Sequence, residues 1–345
     1  MIRRRALLWS GLGAAGALVV GWSGLPPRSR LGGADTLPPV AGEVGLNGWI
    51  KIAADGGVRL AMPYCEMGQG VHTALATLVA EELDVAVERV QVIAAPVDTL
   101  YGNVATLVAQ LPAHPRNIEP GHETLAVRLG EWMLRKVARE LGIVVTGGSS
   151  TVADSYDVLR LAAATARAQL LGAASLQWKL PVDEFSVADG VISHPGGSHA
   201  GYGELAAKAA VTPPGELRYK PRARWAHLGH PQARLDTVAK SNGSARYGID
   251  VRLPGMVYAA VRHAPTLGGA PGHADIDTVL KRPGVERVVR LGAIAGSTDA
   301  FAVVGRSSWH ALQGARALVV EWQARPSGPL DSARILQGLE TTARD

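Results

Sequence analysis

One cysteine, Cys65, is all the thiol chemistry in these 345 residues, which excludes an internal disulfide framework and a cysteine-held iron–sulfur cluster within the chain. Redox centres of that kind, if involved, belong to partners. Charge is also sparse: 19% of positions are Asp, Glu, Lys or Arg against 47% hydrophobic, so folded units with sizeable cores, two at this length, are expected rather than disorder. The net charge of +5 is concentrated early, in Arg3, Arg4, Arg5, Arg28 and Arg30. No basic stripe with interleaved aromatics accompanies it, so a nucleic-acid partner is not expected.

Arg3-Arg4-Arg5 precedes an apolar stretch from Ala6 to Trp22 and then Pro26-Pro27. A basic start, a modest apolar core and a breaker make an export signal, and adjacent arginines suit the twin-arginine route for folded, cofactor-loaded proteins. The stretch is also about long enough to remain as an uncleaved membrane anchor. Gly11 to Gly16 matches GxGxxG, but it lies inside this leader with no strand before it, so it is a decoy. A polar, proline-bearing linker follows, from Leu31 to Val44.

The chain is organised around Pro63 to Leu83, where Gly68 and Gly70 flank Gln69 and an apolar run at helical spacing follows, through Val71, Leu75, Leu78, Val79 and Leu83. A glycine loop opening a helix lets backbone approach a ligand closely and aims the helix's first N–H groups at an anionic or oxo-bearing group. Spacing alone fits an ordinary turn and helix start equally well. Upstream, Trp49 to Ile52 and Val58 to Met62 bracket the turn Ala54-Asp55-Gly56-Gly57, a hairpin that delivers the chain into the loop. Downstream, Val90 to Ile93 reads as a buried strand, and Val97 to Glu123 as a long functional or mobile connection.

A second glycine corner, Gly147-Gly148-Ser149-Ser150-Thr151, stands ahead of a helical run with Leu159, Ala162, Ala163, Ala166 and Leu170 on one face. Thr151 with Asp154 fits a capping box. Two glycines and three hydroxyls suit a phosphate or pyrophosphate, although an ordinary helix cap reads the same way. Trp178 to Pro181 ends this helix, Ala188-Asp189-Gly190 turns a second hairpin, and Tyr202 begins a short helix. His194, His199, His227 and His230 lie in loops without companions at ligand spacing, so no metal site is assigned.

Glu66-Met67-Gly68-Gln69-Gly70-Val71-His72-Thr73 resembles the EMGQG element of the molybdenum hydroxylases, the xanthine dehydrogenase and aldehyde oxidase family. The chain is most similar to the molybdopterin-binding large subunit of the bacterial isoquinoline 1-oxidoreductase and aldehyde dehydrogenase branch. The resemblance implies that Met67, Gly68, Gln69 and Gly70 lie against the pterin, with Gln69 near an oxo ligand of the metal. It implies that Gly147, Gly148, Ser149, Ser150 and Thr151 hold the phosphate or nucleotide portion of a molybdenum–molybdopterin cytosine dinucleotide. The run from Arg234 through Met256 to Pro265 is similar to the family's a/b hammerhead domain, and Tyr101-Gly102-Asn103 with Leu111 to Pro115 to a string found in one subgroup.

An α+β architecture is therefore expected: a leader or anchor over residues 1–30, a linker over 31–44, a molybdopterin-binding-type domain over 45–230, a hammerhead-like domain over 231–325 and a tail, or the start of a further half, over 326–345. Family members carry a Gly-Phe-Gly loop and a GxGE segment with the catalytic base. With phenylalanine only at Phe185 and Phe301, the first cannot be present, and no general base is assigned. Glu66 is read as a cap or salt-bridge partner and Cys65 as a buried, inert thiol.

The resemblance thus implies the N-terminal half of a periplasmic enzyme that hydroxylates an aldehyde or N-heterocycle with water as oxygen source. Its implied partners are a small [2Fe-2S] subunit, with room for a C-terminal-half chain and a cytochrome c. Two other readings stand beside it: a noncatalytic scaffold or truncated remnant that keeps the fold, and an extracytoplasmic ligand-binding module without a cofactor.

Overall fold

The computed structural model describes residues 28–344 apart from 120, 326, 327, 329 and 330. The export-signal reading of residues 3–27 lies outside the described residues. Two compact units divide the chain, residues 1–245 and 246–345; the expected division is at 230/231.

The first unit carries one sheet in the order β1 (Glu43–Gly45), β2 (Ile50–Ala53), β3 (Val58–Met62), β4 (Val90–Ala94). The expected hairpin is present, with Ile50 opposite Leu60 and Ile52 opposite Val58. Strand alternation sends Ile50 and Ile52 one way and Lys51 the other, where its ammonium meets the Pro38 carbonyl and Glu43. β4 runs parallel to β3, which needs a crossover, and helix α1 (Val71–Leu83) supplies it. The expected buried strand is instead an edge strand in which only Val90 is buried, because a short apolar run does not reveal whether partners cover both sides.

Further helices of this unit are α2 (Val104–Val108), α3 (Leu125–Leu141) and α4 (Thr151–Trp178) ahead of the second hairpin, and α5 (Tyr202–Ala210) and α6 (Thr237–Asn242) after it. α4, about 42 Å long at 1.5 Å per residue, packs on α1 and buries the predicted face, Leu159, Ala162, Ala163, Ala166 and Leu170, in the same core as Leu75, Val79 and Leu83 of α1. Alanine at these positions lets the two helix backbones approach closely. Lys179, in the left-handed region, ends α4 ahead of Pro181. The second hairpin pairs β5 (Ser186–Ala188) with β6 (Val191–Ser193) across left-handed Asp189 and Gly190, and β7 (His199–Gly201) completes that sheet.

Two buried carboxylates hold the chain after α5 against this core. Glu81 accepts from the Ala226, His227 and Leu228 amides and pairs with Lys220 at 2.7 Å, and Glu82 takes Arg160 at 2.6 Å and the Lys220 amide at 3.0 Å. Burial pushes the Glu81 carboxyl up, but the Lys220 ammonium and the three amides outweigh it and bring it down to about 2. Both glutamates are thus structural and unavailable as bases.

The second unit mixes strands and helices, as expected of an α+β module. Its main sheet runs β10 (Val285–Leu291), β11 (Ala300–Gly305), β8 (Tyr258–Arg262), and β12 (Val320–Gln323) pairs β9 (Ala270–Ala274). Its helices are α7 (Ile276–Leu280), α8 (Ser308–Ala317) and α9 (Ser332–Arg344). Its core is small: Val279, Phe301, Val303, Ala315 and Leu318. Among the described residues, no helix is long and apolar enough to cross a membrane.

Candidate functional site

β3 ends at Met62 and hands the chain to the 63–70 loop, whose shape is set by one carboxylate. Glu66, its side chain 7% exposed, accepts from the amides of Gly68 (2.8 Å), Gly70 (2.9 Å) and His72 (3.1 Å), and Arg234 pairs with it at 3.2 Å. Burial works to raise the Glu66 carboxyl; the three amides and the Arg234 charge prevail and lower it. The amides expected to face a ligand are therefore turned inward, and Glu66 itself serves as the anion at the α1 N-terminus. Gly68, at φ 113°, occupies a region closed to other residues, and an added Cβ would meet nothing within 4 Å there.

Gln69 also folds into its own loop: its amide nitrogen donates to the Cys65 carbonyl at 2.9 Å and its oxygen accepts from the Met67 amide at 2.6 Å. Met67 projects outward, 71% exposed, and Cys65, expected to be buried, is exposed as well because it lies in the loop beyond the end of β3. What the loop offers its surroundings is an apolar methionine, a reorientable amide and bare backbone.

The second corner turns through left-handed Gly148 (φ 58°) and Ser149 (φ 54°) into α4. Ser150 stands at the N-cap without a side-chain bond to the helix's first amides. The expected capping box does not form, since Asp154 turns its carboxylate to Arg30, Tyr64 and the amides of Val104 and Ala105. Of the three hydroxyl-bearing residues, only Ser149 is exposed; Ser150 donates to the Gly147 carbonyl at 2.7 Å and accepts from Asn103 at 2.8 Å, and Thr151 is buried. Added Cβ atoms at Gly147 and Gly148 would likewise meet nothing within 4 Å.

The structure brings the two corners side by side. The Cys65 amide donates to Thr146 Oγ1 at 2.9 Å, and the Tyr64 hydroxyl donates to Asp154 at 2.5 Å. Asn103, in the string to which sequence reading gives no role, knits the same place together by donating to the Val145 carbonyl at 3.0 Å as well as to Ser150. Arg30, Tyr64, Asn103, Thr146, Asp154 and Arg234 are the site residues that sequence reasoning misses. Only Asp154 and Asn103 carry a local signal, as polar residues beside helix starts.

A phosphorylated organic group fits this arrangement. There is room over both corners, an uncapped first turn of a 28-residue helix behind the second, and an exposed hydroxyl at Ser149. Two of the loop histidines are engaged elsewhere: His194 bonds Glu184 at 2.9 Å and His199 the Gly197 carbonyl at 3.2 Å. Among the described residues, no group of three or more His, Cys, Asp or Glu side chains is placed to hold a metal.

The family described as Molybdopterin cofactor-binding domain matches residues 4–107, which include the first corner and not the second. The beta subunit of isoquinoline 1-oxidoreductase from Brevundimonas diminuta is 31% identical over 350 residues, covering 90% of this chain and 39% of that protein. Membrane-bound aldehyde dehydrogenase [pyrroloquinoline-quinone] of Gluconacetobacter polyoxogenes is 27% identical, covering 93% of this chain and 37% of that protein. A nicotinate dehydrogenase subunit of Pseudomonas putida is 24% identical, covering 96% and 25%. The chain thus spans two-fifths or less of the length of these relatives. With the glycine corner inside it, residues 4–107 match a molybdopterin cofactor-binding domain, and nine-tenths of the sequence is similar to the beta subunit of isoquinoline 1-oxidoreductase.

Proposed function

We propose that the chain is the molybdopterin-binding portion of an oxidoreductase that hydroxylates an aldehyde or N-heterocycle with water as oxygen source and passes electrons to an iron–sulfur partner subunit. The observation that carries this reading is the latching of residues 65–70 to residues 146–151 through the Cys65 amide and Thr146. When bound, the molybdenum cofactor supplies oxygen-atom and electron-pair chemistry. The chain's own residues supply binding and orientation: Gln69 exchanges its internal bonds for the ligand, Gly68, Gly70, Gly147 and Gly148 leave room, and Ser149 with the first amides of α4 receives phosphate oxygens. The second unit takes the place of the family's hammerhead domain, and the cytosine dinucleotide is the nucleotide form we propose.

Purifying the chain with its native partner subunits and measuring molybdenum and pterin nucleotide tests this. About one of each per complex is expected, and the absence of both would refute it. The Gluconacetobacter relative, a pyrroloquinoline-quinone aldehyde dehydrogenase by name, favours a second reading, a quinone cofactor. Extraction distinguishes the two, since a pterin is recovered as a fluorescent nucleotide and a quinone is not. Replacing Gln69 by Ala separates both from the noncatalytic scaffold, which would keep partner binding and host activity alike. Location in the periplasm follows if Arg3, Arg4 and Arg5 direct export; changing them to Lys then leaves the protein in the cytoplasm on fractionation.

A further inference from the structure

We propose that Asp154 is a positioning residue that closes the two glycine corners into one preformed cradle. Its carboxylate reaches out of the first turn of α4 and gathers three other segments. Oδ2 accepts from the Tyr64 hydroxyl at 2.5 Å and from Arg30 Nη2 at 2.6 Å, and Oδ1 accepts from the amides of Val104 at 2.7 Å and Ala105 at 3.1 Å. Arg30 also donates to the Asp154 carbonyl at 3.0 Å and to the Gly102 carbonyl at 3.0 Å. Tyr64 lies two residues ahead of Glu66, Val104 is next to the Asn103 that grips Ser150, and Asp154 is four residues past Ser150.

Two consequences follow from where this carboxylate points. A first-turn aspartate ordinarily bonds amides at the start of its own helix. Asp154 serves other segments instead, and with no side-chain cap at Ser150 the start of α4 stays open to an incoming acceptor. An uncompensated carboxylate would also repel an anion there, but the Arg30 guanidinium, 13% exposed, neutralises it, and each carboxylate oxygen has two donors, the condition under which a buried charge is tolerated. One buried ion pair thus joins the corners and keeps the anion end of the cradle receptive. This role rests on the cofactor reading proposed above; the joining of the corners does not.

Hydrogen exchange on the full cofactor-free chain, with pterin content of the partner complex as a second readout, tests it. In Asp154→Asn, exchange should quicken by about tenfold, the loss of roughly 1.4 kcal/mol of local protection, in peptides covering both 64–70 and 146–151. Peptides from β2 and β3 should stay unchanged, whereas a merely structural residue would lower protection throughout the unit. If Asp154→Asn fails to fold, Tyr64→Phe, which removes one hydroxyl, should still loosen 64–70. Where both fold, the double variant should be no looser at 64–70 than Asp154→Asn alone, as expected if Asp154 acts through Tyr64.

Unchanged exchange at 64–70 in both variants would overturn the proposal, as would loosened corners with undiminished pterin in the complex. A wild-type complex devoid of pterin would refute the cofactor reading and, with it, the receptive anion end. The exchange arm would still decide whether Asp154 joins the corners.

Discussion

Gly147 is the residue at which stability and ligand binding come apart most cleanly. Its backbone is not left-handed and its added Cβ would meet nothing, so Gly147→Ala should change the unfolding free energy by less than about 0.5 kcal/mol. The methyl would stand in the space assigned to the cofactor, so the same variant should lower pterin content of the complex; undiminished content would move the ligand elsewhere. Its neighbour behaves oppositely: Gly148→Ala, at φ 58°, should cost about 1–2 kcal/mol in denaturant melts through backbone strain alone. Glu81 gives a pH signature. Its carboxyl is held at about 2 against an ordinary 4.5, so its contribution is fully present above pH 4.5 and is lost as the pH falls towards 2. Glu81→Gln should therefore destabilise by about 3 kcal/mol at neutral pH. The gap in thermal midpoint to the wild type should shrink on acidification below 4.5, and a gap constant with pH would show that the carboxylate is not charged in the fold.

At the scale of elements, the sequence is most informative where two signals coincide. The hairpin ending at Met62, helices α1 and α4 and the turn at Asp189-Gly190 each combine periodicity with a turn or stop residue, and each forms as expected. Helix α3 goes unread because its stretch follows a long proline-bearing connection and carries six charges among seventeen residues, although Thr124 caps it and left-handed Gly142 ends it. β9 is missed because Ala270-Pro271-Gly272 reads as a turn. The capping-box expectation failed for a reason outside local sequence: Asp154 found its partners 49 and more residues away. The close packing of α1 on α4 is testable at Ala166, fully buried; Ala166→Leu should cost about 1–3 kcal/mol by overpacking, and a neutral result would mean that the helices can separate freely.

For the molecule as a whole, two cores of unequal size set the expectations. Among the described residues the core cluster of the second unit holds five buried side chains, with Phe301 the largest, so Phe301→Ala should remove about 3–5 kcal/mol and open that unit. Exchange protection in β2 and β3 should persist in this variant; simultaneous collapse of both would show that the units do not fold separately. The family resemblance and the first glycine corner were legible from one string, Glu66 to Thr73, whereas the latch between the corners was not, because it is made by residues from four distant stretches. Arg30 belongs to that latch, though it lies at the end of the expected leader, and the Trp49 indole fixes its carbonyl at 2.6 Å. If the expected leader is cleaved, a cut ahead of residue 28 would spare the guanidinium, whereas one that removed Arg30 would strand the buried Asp154 charge and leave a deformed socket.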